Sequence, residues 1–531
     1  MIEKYYSGVI EQIYNRIGKE TRNIVMANYS NDFSIENLEV IRRYQSNEDN
    51  VFFAYSEFSY NTLVGAYEPF LDIICNMHRR FIGGSFDDFQ KECGVYYLHR
   101  QVLNSYYETG ECFREETVLL NEVAYEQRRM TMAIADMLKK LSEVKPLMIV
   151  INRFQMASKS SIETIKYLID NPCANIGIVL GVNAIVKGTD STVEVWDRIV
   201  ESLEDRSAIY YIGSAGPLKN NVKTTNDDEL YITMNFEQSI QEASNIMEFL
   251  DFEQARRGCR IIEHKLKFED AWIDEKSLRR FYMVYARTSV LLGEMSKAIE
   301  LTNEYKALIP ENDSEHYLSL YYFMKGTCYM YQGKLEKAGN SAKSAYDYAV
   351  LAEDDTLIFK AELLSVMIKM SGWYNIFFCV QDIPVSDEII EKLIKHGYRN
   401  HLAHIYIYAY DNSRDVVKQS FYDESLLKHF TKGLELAKEI GNEQLVYDAY
   451  QKTIMLASTS GLNEIAFLYV IRTYEFMKGH GNIYVARVLT SIGYNLSAMG
   501  KNELVDNYYN AAINMLYYLK MPEDIAEVYY N

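Results

Sequence analysis

Hydrophobic positions change their rhythm once along this chain. Up to about residue 215, short runs that are apolar on both faces (Ile24–Ala27, Val51–Ala54, Leu147–Ile151 and Ile176–Leu180) alternate with amphipathic stretches. Such runs predict central strands of a parallel sheet. Helical periodicity falls on Glu36–Tyr44, Val64–Phe81, Glu116–Leu141 and Ser161–Ile169, and strands alternating with helices predict an α/β layer with crossovers. Beyond about residue 230 the periodicity is helical almost throughout. The expected organisation is an α/β domain over residues 1–215, a linker over 216–234 and an all-α array over 235–531.

Within the array the chain repeats itself. Aligning Gly293, Gly333, Gly461 and Gly500 places Ala298, Ala338, Ala466 and Val505 five positions later, and Ala286, Gly326, Ile454 and Gly493 seven positions earlier. The clearest copy runs from Tyr322 through Lys325, Gly326, Tyr329, Gly333 and Ala338 to Ala342 and Ala345. Small residues at these offsets let two antiparallel helices approach closely. The spacing is 40 residues between the first two glycines and 39 between the last two. A further unit is visible at Leu434–Asn442, whereas Trp373–Arg399, with Pro384, is irregular and reads as an insertion. The pattern resembles the tetratricopeptide repeat with a lengthened period, and Pro310 falls where that motif often ends its second helix. The resemblance implies a solenoid and says nothing of its ligand.

Composition agrees with this division. Seven prolines and 26 glycines in 531 residues fall below the usual shares of about 5% and 7%, as expected of a mainly helical chain. The net charge of −19 repels polyanions, so nucleic acid is excluded as a partner. No basic segment followed by an apolar stretch opens the chain and no long apolar window follows, so a cytoplasmic protein without a membrane span is expected. Cys75, Cys93, Cys112, Cys173, Cys259, Cys328 and Cys379 show no C-x-x-C spacing and read as free thiols of a reducing compartment. The 45 tyrosines lie largely at helical spacing, as at Tyr317, Tyr321 and Tyr322. They read mostly as core, the alternative being that some line a ligand groove.

Nucleotide chemistry is the first function to test, because the strand-helix order suits it. A phosphate-binding loop needs glycines after the first strand and a lysine that reaches the phosphates. Here that loop is Ala27-Asn28-Tyr29-Ser30-Asn31-Asp32-Phe33-Ser34. Of the required pattern only Ser34 survives, Phe33 stands at the lysine position, and both glycines are missing. A second apolar strand should end in acidic residues that hold Mg²⁺. The strand Leu147–Ile151 ends instead in Asn152 and Arg153, followed by Ala157, Ser160 and Ser161.

These segments resemble the signal-transduction ATPases, the regulatory branch of AAA-like P-loop proteins. Ala157, Ser160 and Ser161 match that family's D-D-L-H-W-A-D-x-S-S-L segment, while Asn152 and Arg153 replace its acidic pair. Tyr67-Glu68-Pro69-Phe70 is similar to its Y-x-P-F segment, and Ile176–Leu180 with Gly181-Val182-Asn183 to its next core strand. The resemblance implies a degenerate P-loop NTPase-like fold that has lost hydrolysis, with no cofactor and no catalytic residue, and with Asn28, Phe33, Ser34, Asn152 and Arg153 marking the vestigial positions. It also implies the sensory half of a bacterial regulatory protein. There the repeats bind a protein, peptide or small ligand and relay it to an output domain, diguanylate cyclase or transcriptional. The alternatives are an active NTPase with an atypical site and a purely structural helical adaptor.

Three other features read more plainly. Gly83-Gly84-Ser85-Phe86-Asp87-Asp88-Phe89 lacks the acidic pair that a cyclase loop carries directly after its glycines, and reads as a polar turn. His401 and His404 could share a helix face, but no third metal ligand accompanies them. Pro522–Asn531 begins the first helix of a further repeat and then stops, so either a longer protein or a partner covering that end is expected.

Overall fold

The computed structural model describes residues 2–29, 38–46, 50–59, 63–114, 116, 123–183, 186–187, 199–201, 203, 208–212, 223–224, 235–268, 273–374, 387–409, 424–478, 482–518 and 522–530. The chain divides into two compact units, Met1–Ile358 and Phe359–Asn531. Residues 216–234, the expected linker, lie outside the described set except for Lys223–Thr224.

The first unit opens with α1 (Ile2–Arg16), β1 (Ile24–Tyr29), α2 (Glu39–Ser46), β2 (Phe52–Glu57), α3 (Phe70–Met77), α4 (Phe86–Glu92), α5 (Tyr97–Thr109), α6 (Val123–Val144), β3 (Leu147–Asn152), α7 (Lys159–Asp170) and β4 (Ile176–Asn183). Short strands β5 (Val186–Lys187), β6 (Ile209–Ile212) and β7 (Lys223–Thr224) follow. Strands β2, β3, β4, β1 and β6, in that spatial order, form one all-parallel sheet. Every residue of β3 and β4 is buried, which is why these segments are apolar without alternation. Val25, Met148, Val150 and Val179 pack with Tyr6, Ile10 and Ile13 of α1 and Ile41 of α2. Ile149, Ile151, Ile178 and Leu180 alternate with them and are equally buried.

One expected helix is shorter than its periodicity suggests. The one anticipated from Val64 starts only at Phe70, because Pro69 at its N-cap position cannot continue an intrahelical ladder through its own nitrogen. Glu68–Pro69 is cis and Tyr67 has φ +57°. After Met77 the winding widens into a π-turn over His78–Ile82. Of the helix expected over Glu116–Leu141, the part Val123–Val144 is described, and residues 117–122 lie outside the described residues. Gly83 and Gly84 form the expected turn, both at positive φ, and the Ser85 hydroxyl accepts the Asp88 amide at 3.2 Å to cap α4.

The helical part begins with α8 (Phe236–Glu248) and α9 (Phe252–Phe268), then α10 (Glu275–Leu291), α11 (Met295–Ala307), α12 (Ser314–Tyr331), α13 (Leu335–Leu351) and α14 (Asp355–Tyr374). The second unit continues with α15 (Asp387–Lys395), α16 (Arg399–His404), α17 (Glu424–Ile440), α18 (Glu443–Thr459), α19 (Asn463–Met477), α20 (Asn482–Ala498), α21 (Asn502–Tyr518) and α22 (Pro522–Tyr530). The four aligned glycines sit at the turns between α10 and α11, α12 and α13, α18 and α19, and α20 and α21, with φ of +77°, +69°, +73° and +73°. Only glycine reaches that region without a Cβ clash, so these turns are locally encoded. Gly441 turns α17 into α18 in the same way, and Pro310 lies just past the end of α11. Each unit therefore carries tetratricopeptide-like helical hairpins.

Ala286, Ala298, Ala338, Ala342, Ala345 and Ala466 are fully buried, and Gly326 is buried within α12. Tyr329 lies half-buried in α12, with the Lys337 ammonium 5.9 Å from its ring. Tyr321 is core, 2% exposed, and Tyr322 stacks on Tyr348 at 5.6 Å. A Cβ on Gly493 would lie 2.5 Å from the Tyr509 ring. Gly493→Ala should therefore push α20 from α21 and cost about 1 to 3 kcal/mol, read as a lower urea midpoint. No change would mean that the two helices do not meet there.

Among the described residues no helix is long and apolar enough to cross a membrane. Cys75, Cys93, Cys112, Cys173, Cys259 and Cys328 are free thiols. Cys379 and Pro384 lie outside the described residues.

Candidate functional site

Ligands of open parallel sheets bind beyond the carboxyl ends of the strands, where the strand order reverses. In this chain the reversal lies at β1, which runs between β4 and β6. Asn28 and Tyr29 end β1, in register with Val182 and Asn183 of β4. Phe33 and Ser34 lie outside the described residues.

Asn152, at the end of β3, is fully buried. Its side-chain oxygen accepts a hydrogen bond from the Tyr29 hydroxyl at 2.6 Å. A neutral amide can be buried there because its carbonyl is satisfied by that phenol. A carboxylate would need a cation or several donors. Arg153 follows in the left-handed region, φ +55°, and its guanidinium lies 2.9 Å from Glu57 Oε1 at the end of β2. The end of β3 thus carries an amide bonded to a phenol and, next to it, a cation paired with a carboxylate. Tyr6 of α1 lies beside them, its ring edge-on to Tyr29 at 6.3 Å. Burial, followed by the nearby Tyr29, Tyr55 and Glu57, pushes its phenol well above the usual tyrosine range.

The other two family-like segments meet farther along. The Tyr67 amide donates to Ser160 Oγ at 3.0 Å, and Ser161 Oγ donates to the Glu68 carbonyl at 2.8 Å. This serine cluster also touches the array: the Ser160 amide donates to Asp251 Oδ2 at 3.0 Å. Asp251 sits in the tight corner between α8 and α9, beside Leu250 at φ +68°. Around that corner Arg114 donates to the Glu248 carbonyl at 2.7 Å and Gln127 to the Leu250 carbonyl at 2.7 Å. Asn245 Oδ1 accepts the Cys112 amide at 2.9 Å, and Gln254 donates to the Val64 carbonyl at 2.9 Å. Arg287 of α10 lies 2.9 Å from Glu248 Oε1.

Sequence reasoning missed this junction. One signal was available: Asp251 followed by Gln254 at the start of an apolar helical run is a capping signature. Burying Arg114 lowers its guanidinium despite Glu248 and Glu126. Close by, His99 Nε2 lies 2.9 Å from Glu126 Oε2, both side chains buried. Burial outweighs that carboxylate and depresses the imidazole to about 4.

Carboxyls crowd the other side of the junction. Glu68 Oε2 accepts the Gly65 amide at 2.9 Å, and Tyr106 donates to Asp72 Oδ1 at 2.9 Å. A Cβ on Gly65 would stand 3.0 Å from Glu242 Oε1 and 3.3 Å from Glu68 Oε2, so the two carboxyls close on one point. Burial, then Glu68 and Asp72, push the Glu242 carboxyl up to about 7. His401 and His404 are buried in α16, and no group of three or more metal-ligating side chains occurs among the described residues.

No protein-family model matches the chain, and no curated protein matches it. Among solved structures it is similar to a Rap protein complexed with Competence and Sporulation Factor, at 15% identity and TM-score 0.37, covering 55% of this chain and 79% of that one. It is similar to the apo form of the quorum sensor NprR from B. thuringiensis, at 10% identity and TM-score 0.29, covering 61% and 93%. It is also similar to a Signal Transduction ATPase with Numerous Domains protein with a tetratricopeptide repeat sensor from Pyrococcus horikoshii, at 12% identity and TM-score 0.30, covering 96% and 83%.

Proposed function

We propose that this chain is a non-catalytic sensory and scaffolding region of a regulatory protein. In this reading the helical hairpins bind a protein or peptide partner, and the α/β layer is a pseudo-ATPase that passes their state on. The observation that carries the non-catalytic part is the carboxyl edge of the sheet. Phosphoryl transfer needs carboxylates that hold Mg²⁺ and position the nucleophile. At that edge Asn152 is bonded to Tyr29 and Arg153 is paired with Glu57, an arrangement that does not suit a Mg-nucleotide. The binding part is supported by the hairpin array, since stacked helical pairs present an extended inner face.

Two measurements on the full chain test it. Incubation with ATP and Mg²⁺ is expected to release no phosphate above the rate without protein, and to leave the melting temperature unchanged. Turnover, or nucleotide-dependent stabilisation that Ser34→Ala weakens, would establish the active-NTPase alternative. Screening with a pooled library of short linear peptides is expected to yield binders whose affinity drops when Tyr322 or Lys325 is changed to alanine. Binding indifferent to the array would remove the sensory assignment.

A further inference from the structure

The α8–α9 corner and the α/β layer satisfy each other's helix ends. A helix leaves its first amides and last carbonyls without intrahelical partners, and a buried end must find them elsewhere. The α8 end finds donors in the α/β layer, with Arg114 and Gln127 bonding the Glu248 and Leu250 carbonyls. In return the corner supplies an acceptor. Asp251 Oδ2 takes the Ser160 amide at the start of α7, while its Oδ1 takes the Gln254 amide at the start of α9, 3.4 Å away. One carboxylate, 5% exposed, therefore caps two helices from different parts of the chain.

We infer that Asp251 is a positioning residue that couples the first helical pair to the carboxyl edge of the sheet. The inference rests on the relay reading above and gives it a route. α7 follows β3 by way of Asn152, Arg153 and a single 3-10 turn at Phe154–Met156. Gln155 Oε1 in that turn accepts the Asn183 amide at the end of β4 at 3.3 Å. Ser160 is held on its other side by the Tyr67 amide. Ser158 Oγ, 3.4 Å from the Ser161 amide, supplies the second acceptor at the α7 terminus. A displacement of α8–α9 must therefore carry the α7 terminus with it or break a buried hydrogen bond. The α7 terminus is tied directly to the strand ends.

Hydrogen-deuterium exchange of the unliganded full chain tests this without any ligand. Asp251→Ala should accelerate exchange about tenfold in peptides covering both 159–165 and 252–258, and also raise it over 152–157. Ser158→Ala should loosen only the α7 side. Faster exchange confined to 252–258 would make Asp251 a local cap of α9 and overturn the coupling. Asp251→Asn keeps one acceptor oxygen and the side-chain shape, and serves under the same criterion if the alanine variant does not fold. A failed peptide screen would remove the relay reading and leave this result standing. Confined exchange would remove the coupling and leave peptide binding untouched.

Discussion

Replacing Gly181 with alanine should lower the stability of the chain by about 3 kcal/mol, the upper part of the usual cost of overpacking a core. Gly181 lies in β4, in register with Ala27 of β1. A Cβ there would stand 2.3 Å from the Tyr6 hydroxyl and 2.9 Å from Asn152 Oδ1. Neither neighbour yields easily. Tyr6 is fully buried, and Asn152 is fastened to Tyr29. Urea denaturation of the variant should show the loss, and Tyr6→Phe in the same background should restore part of it by removing the hydroxyl. If Gly181→Ala melts like the wild type, the packing of α1 against β4 and Asn152 is not as described. The same crowding places the phenol of α1 against Gly181 of β4 and Asn152 at the end of β3.

Glu242→Gln is expected to act in the opposite direction and to depend on pH. Its folded-state carboxyl, at about 7, lies above the unfolded value of about 4.3. The folded state therefore binds the proton more tightly, and stability falls as pH rises from about 4.3 through 7. Glutamine removes that penalty. The variant should be more stable than wild type by an amount on the order of 3 kcal/mol at pH 8.5, given 1.36 kcal/mol per pKa unit. The two should converge below about pH 4.3. His99, depressed to about 4, acts with the other sign: the stability it contributes is present above about 6.5 and lost as pH falls through the folded value. Comparing the two chains at each pH cancels that background. A difference that does not grow with pH would mean that Glu68, Asp72 and Glu242 do not share a buried cluster.

Much of this architecture was legible in the residues. Four strands, the hairpin glycines and the buried alanines follow from local rules, namely apolar runs, left-handed turns and close helix contacts, although β2, expected to be central, is an edge strand whose last four residues are only half-buried. Tyr67 and Ser160 were singled out separately, and they meet through a hydrogen bond. Pro69 announced a helix start that the apolar periodicity from Val64 concealed. Less legible were Arg114, Asn245 and Gln127, ordinary polar residues in helical or loop sequence. Their importance comes only from the carbonyls and amides of another element that they meet.

By itself, then, the sequence determined four of the five strands of the main sheet, most of the helices and where the hairpins turn. Periodicity, φ preference and residue chemistry act within a few positions, so they can be read in order along the chain. Tertiary structure alone decided what Asn152 and Arg153 pair with and how the first helical pair is joined to the sheet. The Tyr29–Asn152 bond spans 123 residues and the Asp251–Ser160 bond spans 91. No local rule pairs a phenol with an amide, or a carboxylate with a helix end, over such distances. Burial does, because each of those polar groups must find its partner once water is excluded.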